Sequence, residues 1–587
     1  MRWHDWKAEM TFSPRIGVYI CHCGINIAAA VDVATVARYA ATLPGVQVAR
    51  DYTYMCSSPG QALIKNDITE LGLNRIVVAS CSPRMHEPTF RAVIAEAGLN
   101  AYCLEMANIR EQCSWVHTGG IPATTKAMQL VAAAVAKAAR LEELEIRQVP
   151  VIPAAVVIGG GMAGMQAGLD LAEAGFQVTI IERLGQLGGH AAQLSRTFPM
   201  LEPAADLVHT LLERVSSHPR IKVMMESEVL GLSGYVGNFQ VQVRQAQGTE
   251  ELTTEISAGT IIVATGFELF DPHQKPELGY AVYPQVITTL DFERLLQQDS
   301  GLPDVKSIVF VQCVGSRDQT VGNPYCSRIC CMVSAKQARL ARQQLPEAQV
   351  TVFYMDVRAF GKGFEEFYDG AREDGVIYRR GNPSEILRQG DKVVVRAEDT
   401  LLGEPVEIAA DLVVLAVGMQ PQTGSAALAG MLKLSRSADG FFMEAHPKLR
   451  PIDTNMAGVF LAGCCQGPKD ITETIAQARA AAAAAMIPLM RASVQVDAVT
   501  SFIQEELCAG CGQCASVCGF GALTLHPLRG VMVLNPVLCQ GCGACATACP
   551  SGAINVHQFT FDQTMAQVDV LADWQFAPLS PLNNSNG

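Results

Sequence analysis

The chain has 587 residues, a formal net charge of −13 and 49% hydrophobic residues. That length has room for roughly three to five domains. The apolar fraction excludes a disordered chain, and an acidic balance without a basic block argues against nucleic acid. No apolar run reaches the ~20 residues a transmembrane helix needs. The start, MRWHDWKAEMTFSPR, lacks the basic-then-apolar order of a signal peptide. A cytoplasmic protein that docks other proteins is therefore expected, with no nucleic acid and no transmembrane segment. Its 20 cysteines are too many for packing alone. They fall in groups at 21–113, 313–331, 464–465 and 508–549. Grouping of this kind in a large chain favours metal clusters over disulfides.

Residues 1–145 read as an N-terminal α/β domain. IGVYICHCG, YTYMCSSPG, RIVVASCSPRMHEP and YCLEMANIREQC contain apolar, strand-like runs ending in loops that bear cysteine. Helical stretches such as PTFRAVIAEAG lie between them. In a parallel sheet the loops at the carboxyl ends of the strands converge on one edge. Cys21, Cys23, Cys56, Cys81 and Cys113 are thus candidates for one iron–sulfur site, one more than four ligands require. Cys103 is expected inside a strand as core, and His22, His86 and His117 as structural residues. The amphipathic stretch from about Thr124 to Arg147 is expected to link this domain to the next.

A dinucleotide fingerprint follows. The β-rich run Ala155 to Ile158 leads into Gly159-x-Gly161-x-x-Gly164, then a helix to about Ala174 stopped by Gly175, then a strand from Gln177 to Ile181 ending at Glu182. The first glycine makes the tight turn, the second lets backbone approach a pyrophosphate, and the third lets helix pack on strand. Glu182 is placed to hold a ribose hydroxyl. Arg183, Gly189 and His190, just beyond it, are further candidates for cofactor contact. IIVATGFE, with Ala264, Thr265 and Gly266, resembles the strand-then-ATG element of disulfide-reductase-type flavoproteins. NMAGVFLAGCCQGPKDITETIAQARAAA, with Gly463, Lys469, Asp470 and Ile471, resembles their late flavin-contact segment. FAD is preferred over NAD on that likeness. Cys464 stands where those proteins usually carry an aspartate, and Cys464 and Cys465 read as small residues packed against flavin or as a redox pair. The dipole of the helix that follows is placed to stabilise negative charge on a reduced flavin. The FAD domain is then split, residues 151–300 and 425–490, around an insert at 301–424.

That insert keeps a βαβ shape. KSIVFVQ is followed by an expected helix from Ser334 to Leu345 and a strand, QVTVFYMD. A loop that normally cradles nicotinamide phosphates instead carries Cys313, Cys326, Cys330 and Cys331. A further 4Fe–4S site is the favoured reading, with thiol redox chemistry as the alternative. Either way the loop offers no obvious seat for NAD(P)H. Arg358 and Lys362 nearby are candidates to touch flavin or partners, with no assigned role.

Residues 491–587 hold CAGCGQCASVC and CQGCGACATACP. Cys508, Cys511, Cys514 and Cys518 have the C-x2-C-x2-C-x3-C spacing, and Cys539, Cys542, Cys545 and Cys549 repeat it. This is the two-cluster ferredoxin pattern, in which the last cysteine of each run reaches the other cluster. The expected sets are Cys508, Cys511 and Cys514 with Cys549, and Cys539, Cys542 and Cys545 with Cys518. Gly519 stands where the first run is expected to have the proline that the second has at Pro550. Adding these sites gives one FAD and four 4Fe–4S clusters. The fold class is α/β multidomain: a disulfide-reductase-like split FAD domain with an inserted Rossmann-like domain, an N-terminal α/β cluster domain and a C-terminal two-cluster ferredoxin domain.

CHCG, MCSSPG, ASCSPRMHEPTF, EMANIREQCSWVH, the glycine fingerprint, CVGSRD with YCSRICC, DVRAFGKGFEEFY, QGPKDI and the tandem cysteine runs together resemble the HdrA family, the flavin-bearing component of heterodisulfide reductase complexes. The resemblance spans nearly the whole chain. It implies an oxidoreductase subunit in which FAD takes electron pairs from a hydrogenase, formate dehydrogenase or NADH-oxidising module. One electron then goes to a disulfide reduced by HdrB- and HdrC-like subunits, and the other to low-potential ferredoxin. It implies a dimer within a larger complex and needs no catalytic acid–base residue. The alternative is an adaptor without bifurcation, feeding another reductase such as a quinone-linked or acyl-CoA reductase complex. A third, thioredoxin-reductase-like reading predicts NADPH oxidation by the chain alone.

Overall fold

Strands buried on both faces need nearly unbroken apolar sequence, and three parallel sheets are built from such runs. A computed structural model describes residues 13–576 apart from 248–249, 299–301, 303–304 and 492. Most of the segment read for a signal peptide lies outside the described residues. The chain divides into two units, one made of residues up to Gln148 and from Gln495 onward, the other of Val149–Val494. Among the described residues no helix is long and apolar enough to cross a membrane.

In the first unit, four parallel strands lie in the order Val46–Tyr52, Ile16–Cys21, Arg75–Ser80, Leu104–Asn108. Every residue of Ile16–Cys21 and Arg75–Ser80 is buried. Cys21 ends its strand and Cys81 directly follows another, so both reach the carboxyl edge. The stretch expected as a link is instead a core helix, Ile121–Ala138. It buries Ala127, Val131 and Val135 against the sheet, because small and apolar residues recur along its inner face. Cys103 is fully buried just before its strand.

The ferredoxin module belongs to the same unit and has an internal repeat of 31 residues, Cys508 to Cys539 and Cys518 to Cys549. Each half is a short strand, a cysteine run closing in a five-residue helix, and a second short strand. Strand Ser501–Ile503 pairs with Ile554–Val556, and Leu523–Leu525 pairs with Met532–Leu534. A final helix, Phe561–Phe576, packs on Ile121–Ala138, with Trp574 edge-on to Tyr39 at 5.3 Å. Tyr102 donates to Asp497 at 3.1 Å and accepts the Ala498 N–H at 3.0 Å. These contacts fasten the module to the N-terminal domain.

The second unit holds two parallel five-stranded sheets. The first runs Val459–Leu461, Thr260–Val263, Ala154–Ile158, Gln177–Ile181, Ile221–Met224. Its edge strand comes from far down the chain, so this domain is split. The second runs Val286–Thr288, Leu412–Val417, Ser307–Val314, Gln349–Tyr354, Ile377–Arg380. Strand Ser307–Val314 sends Ile308 and Phe310 to one core and Val309 and Val311 to the other. The helix after it spans Cys330–Gln344 and starts four residues before the expected Ser334. Its first turn buries Cys330, Cys331 and Met332, which reads as loop in a sequence window but is tertiary core.

Candidate functional site

A cavity of about 630 Å³ opens where the first sheet's glycine turn meets the second sheet's cysteine helix. Gly159, Gly161, Glu182, Arg183, Gly189, His190, Ala264, Thr265, Gly266, Lys469, Asp470 and Ile471 all line it. Gly159 has φ +110°, and a Cβ there would stand 2.3 Å from the Ala264 carbonyl oxygen. Gly161 would meet nothing within 4 Å, because it faces open cavity. The Glu182 carboxylate accepts the Gly160 N–H at 2.6 Å and the Leu184 N–H at 2.8 Å. It is thus held at the end of its strand beside the turn. His190 stacks on Phe267 at 4.4 Å and contacts its carbonyl at 3.0 Å. Asp470 caps the helix Ile471–Leu489 by accepting the Glu473 N–H at 2.7 Å. Lys469 donates to Gln466 Oε1 at 2.6 Å, and burial pushes its pKa down.

Two expected cofactor residues lie behind the wall instead of on it. A Cβ on Gly164 would stand 1.8 Å from the Gly159 carbonyl oxygen, so this glycine permits helix to press on turn. Gly463, at φ +75°, packs against Ala163 and Thr474. The cavity fits a dinucleotide by its own chemistry. It combines a glycine face open to it, a fixed carboxylate beside the turn and the start of a long helix. The Thr265 hydroxyl, buried on its rim, has no partner in the protein. Gly164→Ala should cost about 3 kcal/mol of overpacking, over ~100-fold in flavin affinity, seen as apoprotein after gel filtration.

Cys464 lines the cavity, its sulfur 3.5 Å from the Lys469 carbonyl oxygen. Cys465 is turned away and donates to the Val263 carbonyl at 3.1 Å. Burial raises both thiol pKa values.

The insert's four cysteines come together. Burial pushes Cys313 up to about 12, and nearby Cys331 and Cys326 add to the shift. Burial likewise raises Cys330 well above the usual thiol value, with all three of the others adding to it. Cys330 also lines the cavity. Cys313, Arg317 and Arg328 hold φ near +60° without being glycine, a concentration of backbone strain around the thiols. Arg317 and Arg358 both pair with Asp356, at 2.6 and 3.3 Å, and the Cys331 thiol lies 3.7 Å from the Asp356 carbonyl. Arg358 therefore sits by the thiols and not in the cavity.

In the N-terminal domain Cys21, Cys23, Cys56 and Cys81 share one edge. Burial raises Cys21, with Cys23 and Cys56 adding to it, and burial takes Cys81 to about 11. The Cys23 and Met55 N–H groups donate to Cys21 Sγ at 3.3 and 3.4 Å. Arg110, which sequence reasoning passed over, donates to Cys23 Sγ at 3.4 Å. Cys113 does not join them. A π-helical turn, Arg110–Ser114, rotates it into the core, where it donates to the Ala123 carbonyl at 3.2 Å.

In the ferredoxin module, Cys545 lies near Cys539, Cys542 and Cys518. Cys514 lies near Cys545 and Cys508, so the two runs adjoin, while Cys511 and Cys542 are exposed. Burial would raise Cys549, but hydrogen bonds, with the Ser551 hydroxyl 3.6 Å from its sulfur, hold its pKa below the usual thiol value. Four ligands of a single zinc ion would stand within ~4 Å of one another. Among the described residues no three His, Cys, Asp or Glu side chains converge on one ion position.

The sequence reading also missed a buried ion pair on the cavity wall. Lys336, on the cysteine helix, lies 2.6 Å from Glu293, with side chains 1% and 2% exposed. Lys336 also donates to the Arg196 carbonyl at 2.8 Å. Glu293 accepts from the Ser195 N–H and hydroxyl at 2.8 and 2.7 Å and from Gln337 at 2.6 Å. A lysine on the buried face of VSAKQARLA was the one available signal.

Residues 153–485 match the family model for pyridine nucleotide-disulphide oxidoreductases, and 507–553 match the 4Fe-4S dicluster domain. An HdrA-type iron-sulfur subunit of the CoB–CoM heterodisulfide reductase of Methanopyrus kandleri is 44% identical, over 89% of this chain and 92% of its own. The HdrA subunit of the H2:CoB-CoM heterodisulfide,ferredoxin reductase of Methanothermobacter thermautotrophicus is 43% identical, over 97% and 99%. This chain belongs to the HdrA family of heterodisulfide reductases. An HdrA-like protein of Archaeoglobus profundus, 39% identical over 95% and 98%, is a further relative. Among solved structures, T. acidophilum thioredoxin reductase is similar at 18% identity and TM-score 0.41, over 57% of this chain and 98% of its own. As a member of the HdrA family the protein is an oxidoreductase of the iron–sulfur flavoprotein kind, an electron-transfer subunit of heterodisulfide reductase.

Proposed function

We propose that this HdrA-family chain is a flavin-based electron-bifurcating hub. FAD would occupy the cavity, and four 4Fe–4S clusters would sit on the four thiol sets. The observation that carries the reading is Cys330, which belongs to the insert's thiol set and also lines the flavin cavity. Bound FAD supplies a group that takes electrons in pairs and yields them singly. Gly161 leaves room for its pyrophosphate and Glu182 is set for a ribose hydroxyl. The helix start at Asp470 favours negative charge nearby. The thiols occupy the place where a nicotinamide loop would be, so electrons reach the cavity through iron–sulfur centres.

The relatives' names supply the partner chemistry: hydrogen or formate as electron source, a CoB-CoM heterodisulfide and ferredoxin as acceptors. We extend this to HdrB- and HdrC-like subunits, a hydrogenase, formate dehydrogenase or NADH-oxidising module, a dimeric assembly and a cytoplasmic setting. Anaerobically purified protein should contain one FAD and about sixteen iron atoms, four per cubane. About eight iron atoms would remove both sets outside the ferredoxin module. Flavin whose second electron enters more easily than its first supports bifurcation, while ordinary ordering of the two potentials leaves only an adaptor. NADPH oxidation by the isolated chain would overturn the proposal, and none is expected.

A further inference from the structure

The two halves of the ferredoxin module superimpose in sequence, but their hydrogen bonding to sulfur differs. Ser501 and Met532 are counterparts, each opening the strand seven residues before a cysteine run. Their backbones act alike: the Ser501 N–H donates to Cys539 Sγ at 3.3 Å, and the Met532 N–H to Cys508 Sγ at 3.4 Å. Their side chains do not. The Ser501 hydroxyl lies 3.2 Å from Cys545 Sγ, and both residues are buried. Met532 is equally buried and its thioether has no proton to give.

We infer that Ser501 makes the two cubanes unequal, raising the potential of the one on Cys539, Cys542, Cys545 and Cys518 above that of its twin. This rests on the dicluster reading of the cysteine runs. A ligand thiolate accepts, so the hydroxyl is the donor. Donors to cluster sulfur stabilise the more negative, reduced state, and a bond to a charged acceptor counts for more away from water. Backbone N–H groups donate to Cys549 as the Ala522 N–H donates to its counterpart Cys518 at 3.4 Å, but one side-chain contact acts in the opposite sense. Ser551 lies 3.6 Å from Cys549, a ligand of the first cluster, but this contact is longer and Ser551 is exposed. Water can replace it there. The favoured cluster is also the one beside the join to the N-terminal domain. A Cβ on Gly541, in its binding loop, would stand 2.3 Å from the Val499 carbonyl oxygen, two residues from Asp497 and its bond to Tyr102. The more easily reduced cluster of the pair would then be the one whose binding loop packs against this join.

The test is a redox titration of the full-length protein, following the spin-coupled cluster pair by electron paramagnetic resonance. Ser501→Ala should make one cluster of the pair about tenfold harder to reduce, about 59 mV for a one-electron couple. The reciprocal Met532→Ser should make the other about tenfold easier, narrowing the gap, and Ser551→Ala should leave both in place. Iron content should not change. Unmoved potentials in both Ser501→Ala and Met532→Ser, or a larger shift from Ser551→Ala, overturn the role of Ser501. A chain with no coupled pair at all overturns the dicluster reading beneath it.

Discussion

Cys330→Ala is expected to remove about four iron atoms per chain and leave FAD in place. Electron flow between the flavin and the rest of the chain should fall by more than ~100-fold, since even neighbours of ligands cost 10–100-fold. The thiol is a wall of the cavity and a member of the insert's thiol set at once. Its replacement should therefore separate two properties that otherwise fail together. Flavin absorbance and iron analysis on one anaerobic sample make the check, with dye-linked reduction of ferredoxin as the activity. Full iron with normal electron flow would mean that the thiols serve packing alone. Cys113→Ala is the matched control: its sulfur is core, so iron should be retained.

The second large effect concerns the buried pair. Lys336→Met leaves Glu293 charged among Ser195 and Gln337 without its cation. Breaking one side of a buried pair costs about 3–5 kcal/mol. Much of that should return in the double variant Lys336→Met, Glu293→Gln, because no lone charge remains. Burial alone would raise the Glu293 pKa, but Lys336, Ser195 and Gln337 outweigh it and the net shift is downward. The sign follows. A carboxylate held below its unfolded value contributes stability that is complete above that value and lost as pH falls through the folded one. The wild type should therefore approach Lys336→Met in stability only under acid, below about pH 4. Denaturant midpoints and the temperature of flavin release, measured at neutral and acid pH, report both effects. A Lys336→Met chain as stable as the wild type at neutral pH would refute the pair's role.

Some of this was written locally. Gly159 and Gly164 announce a turn because only glycine tolerates their φ or crowding, Gly161 keeps the cavity side of that turn bare, and Glu182 follows at the end of the next strand. The ferredoxin runs announce cubane binding because ligands two or three residues apart must wrap one small object.

Other features were invisible until the chain closed. The N-terminal cysteines offered five candidates, and sequence could not show that a π-helical turn would carry Cys113 inward. Nothing local placed the Cys330 thiol on the flavin cavity, paired Lys336 with Glu293, or aimed the Ser501 hydroxyl at Cys545. What sequence alone determined is the set of chemistries this protein holds, because each rests on backbone shapes spanning a few residues. What only tertiary structure decided is which groups meet across tens or hundreds of residues, because that depends on how strands register and which way buried side chains face.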